Sequence, residues 1–426
     1  MNERSVTMKI REISFMDFDN FAKDHPLGNY HQSSHYALLM SNHGYEYDYI
    51  GYLDDENVLK AATLILYKKI GYKQYYGYAP KGFLINYLDE ELLKNFTRDL
   101  KDYYKQKGFT FIKINPEIAI GEITLNPYQV KYNQNVLIRS SLKNNGYLKL
   151  RDNIYFESIL PRYNGIIYLP EYKYSDLKKN TKNKITQAKR KGLKLEKVNR
   201  DKLDELYKFI KAKKKRDKYY YNDYYNMFVK NNAVDLFLVS IDYESYLINT
   251  KETYEKELDN NALLNERLHN NSTEKNVNIK MNSDKALLKY KMDIIEATNG
   301  LRDNKKIYIA GAMVIKYKNR IHIVVSGYDK DYAYFNPNYF LHYSIIEYYK
   351  NDYTFLDLNG LTGDFTKNNP YNGLNEFKLG FKPKVYEFIG EYDLIINELN
   401  YKKLSRLGLL AKEFNKKDIK DTKNKA

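Results

Sequence analysis

KIYIAGAMVIKYKNRIHIVVSG, residues 306–327, is two apolar runs of strand length joined at Lys318–Asn319. β-Branched residues crowd both runs, which predicts a β-hairpin. Downstream, NYFLHYSIIEYYKND (338–352) has helical spacing and TFLDLNG (354–360) reads as a strand. Upstream, VDLFLVSI (234–241) is another strand. Between it and the hairpin lies a segment of a different kind, residues 243–304. There Leu247, Tyr254 and Leu268 fall on a heptad spacing joined by Leu264. Leu287, Ile294 and Leu301 then repeat every seven, with Leu288 and Ile295 beside them. The polar stretch HNNSTEKNVN separates the two arms. An antiparallel helical hairpin inserted between two strands is the economical reading. It could serve as a structural spacer or as a lever for a large partner, and its roughly balanced charge does not favour RNA binding by the arm itself.

The pattern around this centre alternates helix and strand. GIIYLP (165–170) and LKLEKV (193–198) are strands flanking a helix over 174–192, and a further helix is expected over 201–218. The first part runs through helices at 15–26 and 31–44, with Gly44 as C-cap, then strands at 45–53 and 59–70. QYYGYAPKGFLINY (74–87) is a strand broken by Gly and Pro. An amphipathic helix at 89–108, stopped by Gly108, precedes the strand FTFIKINPE. The expectation is an α/β chain of two units with mixed sheets, residues 8–162 and 163–394, the arm sitting in the second. A C-terminal helix, 395–418, is expected to pack on the first unit, followed by a disordered basic tail at 419–426.

At 426 residues, with 43% hydrophobic and 15% aromatic content, the chain can fill two cores. No apolar run approaches bilayer length, and MNERSVTMKIRE lacks a secretory stretch, so a soluble cytoplasmic protein is expected. The absence of cysteine excludes thiol nucleophiles, disulfides and thiolate metal sites. His31 and His35 stand one helical turn apart with no third ligand beside them, which favours ordinary helix-face histidines over a metal site. The net charge of +16 suits a polyanionic partner, or reflects the Lys, Asn and Tyr usage of an AT-rich genome.

Basic charge clusters in three places. In KKNTKNKITQAKRKG (178–192), cations at the helix end complement the dipole. Lys178, Lys179, Lys182 and Lys184 crowd the start, where only an anion would justify them. In KAKKKRDKYYYNDYYNMF (211–228), Arg216 and Tyr220 share a face if the helix continues, a pairing suited to gripping phosphate. Exposed tyrosines at a helix end explain it equally well. The third is LNGLTGDFTKNNPYNGLNEFKLGF (358–381), a long glycine-rich loop leading into a helix that carries Lys378. No GxGxxG, Walker or nucleophile-elbow pattern is present, so any chemistry here needs no covalent intermediate on the protein.

The order HQSSHYALLMSNHGYEYDYIG, YAPKGFLINY, FIKINPE, KNTKNKITQAKRKGLKL, RDKYYY, LDLNGLTGDF and NEFKLGF resembles the FemABX family over nearly the whole chain. These are aminoacyl-tRNA-dependent ligases that build peptidoglycan interpeptide bridges. The resemblance implies two GNAT-like domains, a coiled-coil arm and a cleft for a muramyl-pentapeptide or lipid II precursor. The reaction it implies moves an amino acid of the Gly, Ala or Ser class from its tRNA ester to the stem-peptide amine. Aminoacyl-tRNA is then a co-substrate and no cofactor is expected. Such an enzyme works by positioning and by stabilising the oxyanion. Members commonly carry a Phe–Lys pair before the final strands, matched by Phe377 and Lys378. Arg216 and Tyr220 match the residues that grip the precursor, with Lys182, Lys184, Asn115, Gly327 and Gly363 as further substrate-binding candidates. A lipid-linked acceptor also implies peripheral contact with the inner membrane face.

Three positions depart from the family pattern. Met40 stands where members often have a lysine, Asn115 precedes Pro116 where many have aspartate, and Val324–Val325 replaces an aromatic before Ser326–Gly327. Loss of the lysine fits a lipid-linked precursor, and loss of the aspartate removes a candidate general base. The competing readings are a GNAT-like acyltransferase with another acyl donor, which would want a pyrophosphate-cradling turn, and a non-catalytic protein that binds RNA or a membrane surface.

Overall fold

The computed structural model describes residues 8–71, 74–155, 159–213 and 216–410, and within them the chain forms two mixed sheets. The first contains β1 (Lys9–Glu12), β2 (Glu46–Leu53), β3 (Leu59–Gly71), β4 (Gln74–Ala79), β5 (Phe109–Ile114), β8 (Tyr147–Lys149) and β16 (Tyr392–Ile395). Its order is β1-β2-β3-β4-β5-β16-β8. The second contains β6 (Ala119–Leu125), β7 (Tyr128–Tyr132), β9 (Tyr163–Tyr168), β10 (Leu193–Val198), β11 (Val234–Ile241), β12 (Tyr308–Tyr317), β13 (Arg320–Tyr328), β14 (Phe355–Leu361) and β15 (Lys384–Phe388). Its order is β10-β11-β12-β13-β14-β9-β15-β6-β7.

The opening hairpin is β12 and β13, paired antiparallel with Tyr317 opposite Arg320 and Lys318 in left-handed backbone at φ 55°. β11, buried at every position, is covered on both faces, which is why its sequence is an unbroken apolar run. The parallel pairs β4–β5 and β13–β14 each close over a helix, α3 (Glu90–Gln106) and α10 (Pro337–Tyr349).

Helices α5 (Lys179–Arg190) and α10 cover one face of the second sheet, burying Ile185, Ala188, Leu341 and Ile345 against Phe237, Ala312 and Leu356. The other face meets the first half of the chain. There α6 (Leu203–Ile210) and α7 (Lys218–Val229) share a core with α1 (Phe15–Asp24) and α2 (Ser34–Asn42). Leu206, Phe228, Leu236 and Met313 belong to the same cluster as Phe18, Tyr36, Met40 and Leu64, so the two sheets are joined by apolar burial. A separate core beneath α3 and α4 (Ile138–Asn144) gathers Phe96, Leu100, Leu142, Tyr52 and Ile112.

Residues 243–304 form a helical hairpin of α8 (Tyr243–Asn270) and α9 (Glu274–Asp303), started by Asp242 and Thr273 caps. Tyr246 donates to Glu296 at 2.9 Å and Asn261 to Ser283 at 2.9 Å, so the helices run antiparallel. Leu287 and Ile294 are half-buried, but Leu288 and Ile295 point to solvent, 65% and 54% exposed. Adjacent residues lie about 100° apart on a helix, so one seam cannot hold both sets. Asn261, Asn276 and Ser283 are buried instead, making the hairpin's contact face partly polar. Its root is fixed to α5 by Arg190 and Lys191, which pair with Asp293 at 2.7 and 3.1 Å.

Two features of the sequence reading are corrected. The helix expected over 201–218 stops in two pieces, because Asp217 Oδ1 accepts Tyr220 N–H at 2.9 Å and caps a new helix, α7. Strands β6 and β7, from the unit expected to end at 162, pair in the second sheet, while β16 completes the first. At the C-terminus α12 (Glu398–Arg406) places Tyr401 and Leu404 against Tyr76 and Phe111 of the first sheet. The remainder of the expected 395–418 helix, from residue 411, and the tail lie outside the described residues.

Candidate functional site

The glycine-rich loop after β14 is pinned to α11 (Asn372–Leu379). Asn375 accepts Thr362 N–H at 3.0 Å and donates to Thr362 Oγ1 and Asp364 O at 2.9 and 3.0 Å. Asn369 donates to the same oxygens at 2.7 and 2.6 Å. Three residues beyond Asn375, Lys378 shares its helix face and turns back toward the sheet. Its ammonium donates to Gly360 O at 2.5 Å, and the residue is 9% exposed. A side chain at 360 would collide with the Pro161 ring, so this carbonyl is presented on a tightly packed glycine.

Phe377 meets Tyr339, His342 and Phe381 edge-on, with ring centroids 4.9, 4.8 and 5.5 Å apart. Lys184 joins this neighbourhood, donating to Tyr339 Oη at 3.0 Å and lying 4.3 Å from the ring centroid. Lys182, two residues away and therefore on another side of α5, is bound to Ser175 O at 2.8 Å. The structure brings Lys184 towards Phe377 and leaves Lys182 on its own loop.

Arg216 and Tyr220 do meet, although no continuous helix joins them. The exposed guanidinium sits 4.7 Å from the Tyr220 ring centroid. Burial pushes the Tyr220 hydroxyl up to about 12 against the opposing pull of Arg216. Met40 lies in the same core cluster as Tyr220 and forms part of an apolar wall there. Gly327 and Gly363 serve packing. A side chain at 327 would stand 2.6 Å from Phe209 O of α6, and one at 363 would strike the Tyr163 ring.

Asn115 is committed within the protein. Its Oδ1 accepts Lys81 N–H at 2.9 Å and the Tyr78 hydroxyl at 3.3 Å. Lys81, in left-handed backbone at φ 56°, is only 7% exposed. The two residues line a narrow pocket with Pro161, Arg162, Phe388 and Glu391. Sequence reading passed over Lys81. Its one signal was the Gly and Pro interruption of the 74–87 strand.

A mostly buried polar cluster begins one residue beyond Pro116, which lines the pocket. Glu117 pairs with Arg320 and accepts from Asn29, while Asn164 donates to Asp357 at 3.1 Å. Burial works to raise the Asp357 pKa, but His322, Arg320 and the Asn359 N–H hold it down at about 2. His31 is bonded to Asn29 Oδ1 at 2.8 Å and His35 to Asn231 at 3.0 Å, so the two histidines diverge.

Burial, reinforced by Lys81, holds His31 well below the usual imidazole range, and burial with Lys318 takes His25 down to about 4. Both stay neutral in the fold while the unfolded chain takes up protons below about pH 6.5. Stability is therefore lost as pH falls through that value, by up to about 1.4 kcal/mol per pH unit for each such histidine. Melting temperature is expected to drop between about pH 7 and pH 5, and a His25→Gln/His31→Gln chain to show a flatter profile. Parallel profiles for the two chains would contradict this account.

A family model described as the FemAB family matches residues 13–407. The chain is 23% identical over 402 residues to a lipid II:glycine glycyltransferase of Staphylococcus epidermidis, covering 92% of this chain and 94% of that protein. It is 25% identical over 421 residues to aminoacyltransferase FemB of the same species, covering 92% and 96%. The crystal structure of FemX superposes with a TM-score of 0.70 at 20% identity, over 93% of this chain and 99% of that one. That likeness fixes the fold. Among the described residues no helix is long and apolar enough to cross a membrane.

Proposed function

The chain belongs to the FemAB family, and from that premise we propose that it is a tRNA-dependent aminoacyltransferase acting on a lipid-linked peptidoglycan precursor. The acceptor is the stem-peptide amine, and the donor is an amino acid of the Gly, Ala or Ser class esterified to tRNA. The family match across almost the whole chain carries this reading. Both Staphylococcus epidermidis relatives are named as transferases, one of glycine to lipid II.

The chemistry asks little covalent work of the protein. The neutral acceptor amine attacks the ester carbonyl, the C–N bond forms, and negative charge gathers on the carbonyl oxygen. Collapse breaks the C–O bond to the ribose. The proton lost by nitrogen ends on the departing ribose oxygen, so atoms and charge balance. An ammonium fixed beside the carbonyl oxygen lowers the barrier by stabilising the intermediate. Lys378 has that form, a cation held by a neutral carbonyl in a mostly buried setting. Phe377, locked among aromatic rings, shapes the wall next to it. Arg216, stacked on Tyr220 at the surface, grips the precursor's phosphates.

Incubation with glycyl-tRNA and lipid II should add one amino-acid residue to the stem peptide, read by mass spectrometry. No mass gain across a panel of aminoacyl-tRNAs, or equal gain from an acyl-CoA donor, would overturn the proposal. Arg216→Ala is expected to weaken acceptor binding about tenfold in calorimetry, the loss of one charge-assisted contact. Unchanged affinity would remove the phosphate grip.

A further inference from the structure

We propose that Lys81 is a second cation of the cleft and holds an anionic group of the acceptor, a carboxylate or a phosphate. This rests on the acceptor reading above. A lysine ammonium is costly to bury and normally carries a partner. Lys81 is 7% exposed, yet its ammonium has no hydrogen-bond acceptor or ion pair among the described residues, only the Phe388 ring 5.1 Å away. The other charged groups of the pocket are engaged. Arg162 pairs with Asp152 and Glu387 at 2.5 Å each, and Glu391 accepts Ile159 N–H at 3.0 Å.

The backbone presents Lys81 deliberately. Pro80 O accepts Gln32 Nε2 at 2.7 Å, and the Lys81 N–H is taken by Asn115. Asn115 thereby explains its own identity. An aspartate could accept the same N–H, but it would also place a negative charge in the pocket that Lys81 lines. A neutral amide fixes the loop and leaves the ammonium charge for a ligand. The pocket lies close to the reacting centre, because Pro161 lines it and also abuts Gly360, whose carbonyl holds Lys378.

The test is calorimetry of a soluble muramyl-pentapeptide diphosphate on the full chain without donor. Lys81→Met should raise the dissociation constant at least about tenfold, with Lys81→Arg recovering part of it. With lipid II as acceptor, KM should rise while kcat changes little. Asn115→Asp, nearly the same shape, should weaken binding in the same direction. Repeating the titration with the stem-peptide carboxylate amidated assigns the anion. If Lys81→Met then costs nothing further, Lys81 holds the carboxylate; if the loss persists, it holds phosphate. Wild-type affinity in either Lys81→Met or Asn115→Asp would overturn the assignment. A wild-type chain that binds no precursor would overturn the acceptor reading itself.

Discussion

Lys378→Ala is expected to lower the transfer rate by about 10²–10³-fold, the cost of removing one preorganised oxyanion donor. Acceptor affinity should stay within about twofold, because the charge it stabilises exists only in the transition state. The setting supports a large effect. Lys378 occupies the last turn of α11, an end of a helix that favours a cation, and its ammonium is steered by the Gly360 carbonyl. Lys378→Arg should rescue poorly, since a planar guanidinium cannot occupy a space shaped for a compact ammonium. Single-turnover transfer at the wild-type rate by Lys378→Ala would end the catalytic assignment.

The largest effect on stability is expected at Asp393. Its carboxylate, 2% exposed, pairs with Lys113 at 2.9 Å and accepts the Tyr401 hydroxyl at 2.7 Å. These contacts tie β16 and α12 to β5 across 280 positions of sequence. Asp393→Ala leaves the Lys113 ammonium buried without this partner, at a cost of about 3–5 kcal/mol. A fall in melting temperature of roughly 3–6 °C follows for a chain of this size. Lys113→Met with Asp393→Leu should recover most of it, since an apolar pair of similar volume avoids stranding either charge. A single Asp393→Ala variant that melts with the wild type would show the pair to be dispensable.

Elements with strong local signals were legible in the sequence. The β12–β13 hairpin, the helices of the inserted arm and the run of α3 into β5 depend on neighbours a few residues away. The pairing of β6 with β15 was not, because Val385 pairs with Ile123, and no local pattern encodes a partner so distant. The break before α7 was missed because a run of lysines reads as helix until the Asp217 cap is weighed. At the site, the motifs named Lys378, Phe377, Arg216 and Tyr220, and the structure sets the first two side by side on α11 and the Arg216 guanidinium against the Tyr220 ring. Gly327 and Gly363, named with them, stand where a side chain would meet Phe209 O and the Tyr163 ring, and the motifs passed over Lys81. A lysine's burial and missing partner are properties of three-dimensional packing that composition does not carry.

The sheet order also bears on how the chain is made. Among the described residues β8 pairs only with β16, and β16 fills the place beside β5. During synthesis, β5 is an open edge and β8 lacks this neighbour until residues 392–395 have left the ribosome. The β6–β7 hairpin likewise waits for β15 to join it to β9. Neither half can close on its own as it emerges, and the exposed edge persists for most of translation. Folding is thereby postponed to the last strands, and a transcript truncated before residue 392 yields an unfinished sheet rather than a smaller working protein.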